Sequence, residues 1–236
     1  MKGRFIKRKI CQGTAWLSKR PYYLKRFYIR KRIGKRNFTI IANNCWAGRA
    51  YQYLGMPYLS PTVGMYFFAE DYIKFVTNLR FYLSLDLKFI DAKKSKYAGT
   101  LASLNQLDKP IGLLNDVLIV FLHYHSESEA YEKWTRRTQR VNYDHIILKF
   151  SNMNLCTEEI MKQFSQLKFP NKFMLNSRRL VKYPCEIYWN GPCDNKGEIL
   201  SDTEAFPGNL DLVKLLTLPK VTYPLILSKK EQQKYG

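Results

Sequence analysis

Short apolar runs alternate with amphipathic stretches along this chain. Each run has the length of a buried strand, and most are followed by a stretch with the spacing of a helix. The runs that predict strands are 38–42, 63–68, 87–90, 117–122, 145–150 and 172–175. A repeated order of strand and then helix is typical of α/β folds, so the pattern predicts a mainly parallel sheet with helices on both faces.

The first of these units ends in a group of polar and reactive side chains. The strand at 38–42 is followed by Asn43, Asn44 and Cys45, and then by a predicted helix that ends at Gly55. Ligands of α/β domains bind outside the carboxyl ends of the strands, where this turn is expected. The helix dipole favours a thiolate at Cys45, and the two carboxamides can hold a substrate or an oxyanion. Alternatively, the asparagines cap the helix and Cys45 is a small buried apolar residue.

The run at 117–122 ends in a similar way, at His123. Ser126 and Glu129 form a capping box for the helix that follows. His123 is the best candidate for a general acid or base, because the pKa of a histidine lies near neutrality. A hydrogen-bonded structural histidine is the alternative. Since parallel strands end at one edge of a sheet, we expect His123 and Asn43 to line one pocket.

The formal net charge of +20 is concentrated near the N-terminus. Residues 1–36 contain fourteen Lys and Arg and no acid, so the other two hundred residues have a net charge of only +6. Within this basic leader, residues 20–34 combine aromatic and basic side chains and are predicted to form a helix. Such a helix suits an anionic membrane surface. The alternatives are a helix packed on the body of the protein and, less favoured, binding to nucleic-acid phosphates.

Composition divides the chain into three parts. They are a basic aromatic leader at 1–36, an α/β domain at 37–228 and a tail at 229–236. The five cysteines form no C-x-x-C pair and have no neighbouring histidine, which indicates a reducing cytoplasm and argues against a zinc knuckle. No run reaches the ~20 apolar residues that span a bilayer, and the leader lacks the apolar segment of a signal peptide. We therefore expect a cytoplasmic protein.

The common nucleotide and metal motifs are absent from the sequence. It has no Walker loop, no G-x-G-x-x-G turn, no G-x-S-x-G elbow and no H-E-x-x-H helix. The D-x-D metal motif of many nucleotide-sugar transferases is missing as well. We therefore expect neither a cofactor nor a metal site.

Several groups of residues, in order along the chain, resemble one bacterial protein family. They are 43–46 with Gly48 and Tyr51, 60–64, 70–75, 110–112 with Asp116, 121–124, 129–134 with Arg136 and Arg137, and 156–159. The family is known as domain of unknown function nineteen-nineteen, and its members are commonly labelled exopolysaccharide biosynthesis proteins. The resemblance covers residues 37–220, with Ala47 where a typical member has a second glycine. Because the label reflects neighbouring polysaccharide genes, it implies a pathway and not a reaction.

The resemblance implies an enzyme of surface-polysaccharide synthesis. We expect a transferase that modifies or extends a glycan or a lipid-linked sugar at the cytoplasmic face of the membrane. The candidate catalytic residues are Cys45 and His123, and the candidate substrate-binding residues are Asn43, Asn44, Trp46, Arg136 and Arg137. The two arginines would hold an anionic donor or a lipid diphosphate. The alternative is a non-catalytic module that binds the polymer or its machinery; a reactive Cys45 favours the enzyme, and an inert thiol favours the module.

Overall fold

A computed structural model describes residues 24, 27–34, 37–178, 183–203 and 211–217. The predicted tail at 229–236 and most of the predicted leader lie outside the described residues. The strands are β1 (Thr39–Ala42), β2 (Lys88–Ile90), β3 (Ile111–Leu114), β4 (Val117–Val120), β5 (Ile146–Ser151), β6 (Lys172–Asn176) and β7 (Glu186–Tyr188). The helices are α1 (residues 27–33), α2 (Trp46–Leu54), α3 (Ala69–Thr77), α4 (Leu79–Ser84), α5 (Ala98–Ser103), α6 (Glu127–Thr138), α7 (Glu158–Gln166) and α8 (Leu212–Thr217), with a 3₁₀ helix at Ala92–Lys94.

A four-stranded parallel sheet forms the centre of the fold. Its strands lie in the order β1-β5-β6-β7, and every neighbouring pair is parallel. Alternate residues of β5 face opposite sides: Phe150 stacks on Tyr72 of α3 with ring centroids 5.7 Å apart, whereas Ile147 belongs to the apolar cluster that contains Trp46 of α2. The predicted α/β fold, with a mainly parallel sheet between helices, is confirmed.

A second, smaller sheet contains the strand predicted at 117–122. This sheet is antiparallel, in the order β2-β3-β4, and β3 and β4 form a hairpin. Asn115 occupies the turn of the hairpin with φ +55°, a conformation that asparagine tolerates better than most residues. The run at 63–68 forms no regular strand, since only its Tyr66 pairs with Val120. An apolar run has the same length in a hairpin and in a parallel sheet, so length alone did not separate the two.

The described part of the leader helix packs on the body of the protein. Ile29 and Ile33 of α1 are buried in the same apolar cluster as α2. Leu24, Phe27 and Tyr28 remain exposed on the other side. The alternative of a helix packed on the body of the protein is therefore correct for one face of α1, while its other face is open to solvent.

The loop at 60–68 joins the two sheets beside the carboxyl end of β1. Phe67 donates its amide to the carbonyl of Asn43 over 3.0 Å, and His123 donates its amide to the carbonyl of Gly64 over 3.0 Å. Gly64 has φ +75°, and a Cβ there would meet Tyr124 at 3.1 Å. Glycine is therefore required for this close approach, which brings His123 from the antiparallel sheet to the edge of the parallel one.

Candidate functional site

Asn43 directly follows β1 and lines neither of the two cavities described below. Its side chain is fully buried, donates to the carbonyl of Ser151 over 2.9 Å and accepts from the amide of Ser151 over 3.0 Å. The carboxamide extends the pairing of β1 with β5, and backbone groups satisfy both of its polar atoms. This corrects the expectation that Asn43 faces a substrate beside His123.

Two other candidate residues also lie away from the cavities. Trp46 is 1% exposed and packs edge-on against Phe173, with ring centroids 5.5 Å apart. Arg136 is exposed on α6 and forms an ion pair of 3.1 Å with Glu132, one turn earlier in that helix. Trp46 is therefore a core residue, and Arg136 belongs to the solvated face of α6.

Asn44 belongs to a buried polar cluster at the carboxyl ends of β1 and β5. Its Nδ2 donates to both carboxylate oxygens of Asp202, over 2.9 and 3.0 Å, and its Oδ1 accepts from Nζ of Lys149 over 3.0 Å. Lys149 also forms an ion pair with Asp202, to which Ser151 donates its hydroxyl over 2.5 Å. The side chains of Lys149 and Asp202 are both fully buried, so each compensates the charge of the other.

Sequence reasoning missed Lys149, Ser151 and Asp202. The available signal was a lysine within the apolar run of β5, on the face where Ile147 packs into the core. Burial lowers the pKa of Lys149, and the neighbouring Asp202 carboxylate opposes that shift. A buried lysine of this kind requires a partner, but the sequence did not indicate that residue 202 supplies it.

Cys45 lies at the N-terminus of α2, yet its surroundings do not favour a thiolate. Its side chain makes no capping hydrogen bond to the helix. Burial and the nearby Asp202 carboxylate raise the pKa of the thiol from 9.0 to about 11, while Lys149 acts in the opposite direction. At neutral pH the thiol is protonated, which corrects the expectation of a low-pKa nucleophile.

A first cavity of about 400 Å³ opens between α2, α6 and the loop at 60–68. We call it the basic cavity, because its lining includes four basic side chains: Arg49, His123, Lys133 and Arg137. Among the residues that the structure describes, no Asp or Glu lines it. Lys133 forms an ion pair with Glu129 outside the lining. The basic cavity therefore has an excess of positive charge, which suits an anionic ligand.

Arg137 is the most deeply buried of these four side chains, at 6% exposure. Its Nη1 donates to the hydroxyl of Tyr124 over 2.5 Å and contacts the carbonyl of Val63 at 3.4 Å. The guanidinium also lies 4.8 Å from the ring centroid of Tyr58. All of these partners are neutral. The arginine that sequence analysis assigned to an anion is thus held in place without a carboxylate in any of these contacts.

A second cavity of about 330 Å³ adjoins the first. We call it the neutral cavity, because most of its lining is uncharged or apolar and Asp202, the acid among its described lining residues, is paired with Lys149. Its polar lining includes Asn44, Gln106 and Asn154, and exposed leucines stand among its lining residues. Such a lining suits a hydroxylated ligand with apolar faces, for example a sugar ring.

Cys45 and His123 line both cavities. The structure thus brings together Asn44, Cys45, His123 and Arg137 of the predicted residues, although His123 comes from the turn after β4 of the antiparallel sheet. Within the described ranges, no group of three or more His, Cys, Asp or Glu is arranged to hold a metal ion. Where the two cavities meet, the shared side chains are the protonated thiol of Cys45 and the imidazole of His123.

We expect Asp202→Asn to destabilise the protein by about 3–5 kcal/mol, because the substitution leaves the buried ammonium of Lys149 without a counter-charge. Urea unfolding followed by circular dichroism measures the loss. Glu132→Gln, which removes an exposed ion pair with Arg136, is the matched control and should cost about 0.5 kcal/mol or less. Equal effects of the two substitutions would contradict the structural role of the buried pair.

We expect Cys45 to react slowly with iodoacetamide at neutral pH, because only the thiolate reacts. The pKa of the folded thiol is raised to about 11, so its rate should increase with pH up to that value. Between 9.0 and 11 the folded state holds a proton that the unfolded chain loses, so this group's contribution to stability falls as pH rises through that window. Mass spectrometry of the native protein measures the rate, with exposed Cys193 as the internal control. Faster labelling of Cys45 than of Cys193 near pH 7 would contradict the raised pKa and support Cys45 as a nucleophile.

Comparison with known proteins assigns the chain to a family. A protein of Haemophilus influenzae, named only as an uncharacterized protein, is 29% identical over 175 residues, which are 74% of this chain and 79% of that protein. A family model described as a domain of unknown function, DUF1919, matches residues 18–211. This match includes every residue named above in the two cavities and in the buried cluster. The chain therefore belongs to the DUF1919 family.

Proposed function

We propose that this protein is a transferase of bacterial surface-polysaccharide synthesis, acting on a glycan or a lipid-linked sugar. One observation supports a transfer site: two adjoining cavities of different chemistry meet at Cys45 and His123. A substrate that joins an anionic group to a sugar would place its scissile bond near this junction. The pathway is proposed from the label of the family that the motifs resemble.

His123 has the role of proton acceptor in this proposal. An acceptor hydroxyl in the neutral cavity attacks the donor, His123 takes the hydroxyl proton, and the leaving group departs into the basic cavity with the bonding electron pair. An imidazole suits this step because its unprotonated ring nitrogen can accept a proton from a hydroxyl. Cys45 remains a neutral thiol beside the reacting atoms, and no covalent enzyme intermediate is required.

A non-catalytic module of the same pathway is the second candidate. The observation that favours it is the high pKa of Cys45, which removes one of the two predicted catalytic groups. Such a module would bind a glycan in the same two cavities but would need no proton transfer at His123. The two candidates therefore differ in what they require of a single imidazole.

We expect His123→Gln to abolish detectable surface carbohydrate in the native bacterium when the variant replaces the chromosomal copy. Glutamine preserves size and hydrogen bonding but cannot titrate, and loss of a general base lowers rates by roughly 100-fold or more. His125→Gln, an exposed histidine two residues away, is the matched control and should leave the carbohydrate unchanged. Normal carbohydrate in the His123→Gln strain, with unchanged protein levels, would refute the transferase and favour the module.

We further propose that the protein binds the cytoplasmic face of the membrane through α1. Phe27 is 69% exposed and Tyr28 is 58% exposed, and the exposed Arg30, Lys31 and Arg32 surround them. Ile29 and Ile33 hold the opposite face of the helix against the body. None of the described helices is long and apolar enough to cross a bilayer. Aromatic and basic side chains on one surface are suited to an anionic lipid surface.

We expect Phe27→Ser to weaken binding to phosphatidylglycerol vesicles about tenfold, since insertion of a phenylalanine side chain contributes roughly 1.5 kcal/mol. Cosedimentation of the full-length protein measures the change, and binding of both proteins should weaken as salt is added. Phe81→Ser, at an aromatic residue that is 51% exposed on α4, is the matched control and should have no effect. Equal binding by all three proteins would argue against membrane attachment through α1.

A further inference from the structure

We infer that the basic cavity is a binding site for phosphoryl groups, and that Arg137 is its principal ligand-binding residue. This inference rests on the proposed function only for the identity of the rest of the substrate. The ligand chemistry is a diphosphate, which a nucleotide-linked sugar and a lipid-linked sugar share.

The charge of Arg137 is buried without compensation. Arg137 as a whole residue is only 6% exposed, and burial of an unpaired ion is strongly unfavourable. The hydroxyl of Tyr124 and the carbonyl of Val63 satisfy hydrogen-bond donors but supply no negative charge. In the part of the chain that the structure describes, Arg137 forms no ion pair. A bound anion would supply the missing charge.

Two further cations face the same space from different helices. Lys133 lies one turn before Arg137 on α6, and its ion pair with Glu129 leaves it partly compensated. Arg49 comes from α2, is exposed, and makes a hydrogen bond of 3.4 Å to the neutral side chain of Gln52. Cations on both sides of a cavity can contact separate oxygens of one ligand. This geometry suits a diphosphate better than a single carboxylate.

The backbone of α2 adds to the same field. Its first turn contains no acidic residue, and the cap on its first amide is uncharged: Oδ1 of Asn44 accepts from the amide of Trp46 over 3.2 Å. Gly48 in this turn lines the basic cavity, and a Cβ there would lie 3.0 Å from Cγ1 of Val63. Because Gly48 has no side chain, its backbone forms this part of the cavity wall. A volume of about 400 Å³ is within the range of ~300–1,000 Å³ for small-molecule sites.

Isothermal titration calorimetry of the full-length protein with inorganic pyrophosphate tests this site. We expect saturable binding that Arg137→Gln weakens by about tenfold to hundredfold, since a buried charge-assisted contact is lost. Arg136→Gln is the matched control: it removes the same charge from the adjacent, solvent-facing residue and should leave affinity unchanged. The control also accounts for nonspecific attraction to the basic leader.

A second variant tests the site in case Arg137→Gln does not fold. Arg49 is exposed, so Arg49→Gln should retain the melting temperature of the wild type while weakening pyrophosphate binding severalfold. Arg137→Gln itself should not lower the melting temperature without ligand if its charge is uncompensated, because the substitution removes an unpaired ion. Unchanged pyrophosphate affinity in both folded variants, or no saturable binding at low salt, would overturn the inference.

Two other titrations identify the source of the diphosphate. Tighter binding of UDP-glucose than of pyrophosphate indicates a nucleotide-linked donor, whereas tighter binding of farnesyl diphosphate indicates a lipid-linked one. Together with the carbohydrate measurement on the His123→Gln strain, pyrophosphate binding also tests the phosphoryl site independently of the proposed reaction. Arginine-dependent pyrophosphate binding together with normal carbohydrate in the His123→Gln strain would retain the phosphoryl site and reject the transferase. The reverse pair of results would retain the transferase and reject the phosphoryl site.

Discussion

The buried ion pair between Lys149 and Asp202 is the interaction on which the candidate site depends. β5 places a lysine on the same face as the buried Ile147, and an ammonium in that position is tolerated only with a counter-charge. Asp202 supplies it from the chain beyond β7. The pairing holds residues 200–203 across the carboxyl ends of β1 and β5, where they form one wall of the neutral cavity.

The same cluster determines which side chains remain chemically available. The Asp202 carboxylate also accepts hydrogen bonds from Asn44, so the residue before Cys45 is fixed, and its negative charge helps to raise the pKa of the Cys45 thiol. Positive and negative charges are therefore balanced beneath the neutral cavity. In the basic cavity they are not, since Arg137 is buried among neutral partners. This difference gives the two halves of the site their separate ligand preferences.

Local patterns in the sequence predicted the scaffold well. Apolar periodicity located β1, β5 and β6, and the strand-then-helix order gave the parallel sheet, because each depends on residues that are neighbours in the chain. Ser126 accepts a hydrogen bond from the amide of Glu129, as the capping signal predicted. The hairpin of β3 and β4 was not predicted, since an apolar run does not specify the direction of its partner strand.

The sequence by itself determined the fold class, the polar turn after β1 and the position of His123 at the end of an apolar run. Only the tertiary structure decided which of these side chains face a ligand. Asn43 and Asn44 are adjacent and chemically identical. The side chain of Asn43 is hydrogen-bonded to the backbone of Ser151, whereas Asn44 lines a cavity. Likewise Arg136 is solvated and Arg137 is buried, because one residue of α6 is a rotation of about 100°. Those assignments depend on which distant segments pack alongside, and on a lysine whose partner lies 53 residues further along the chain.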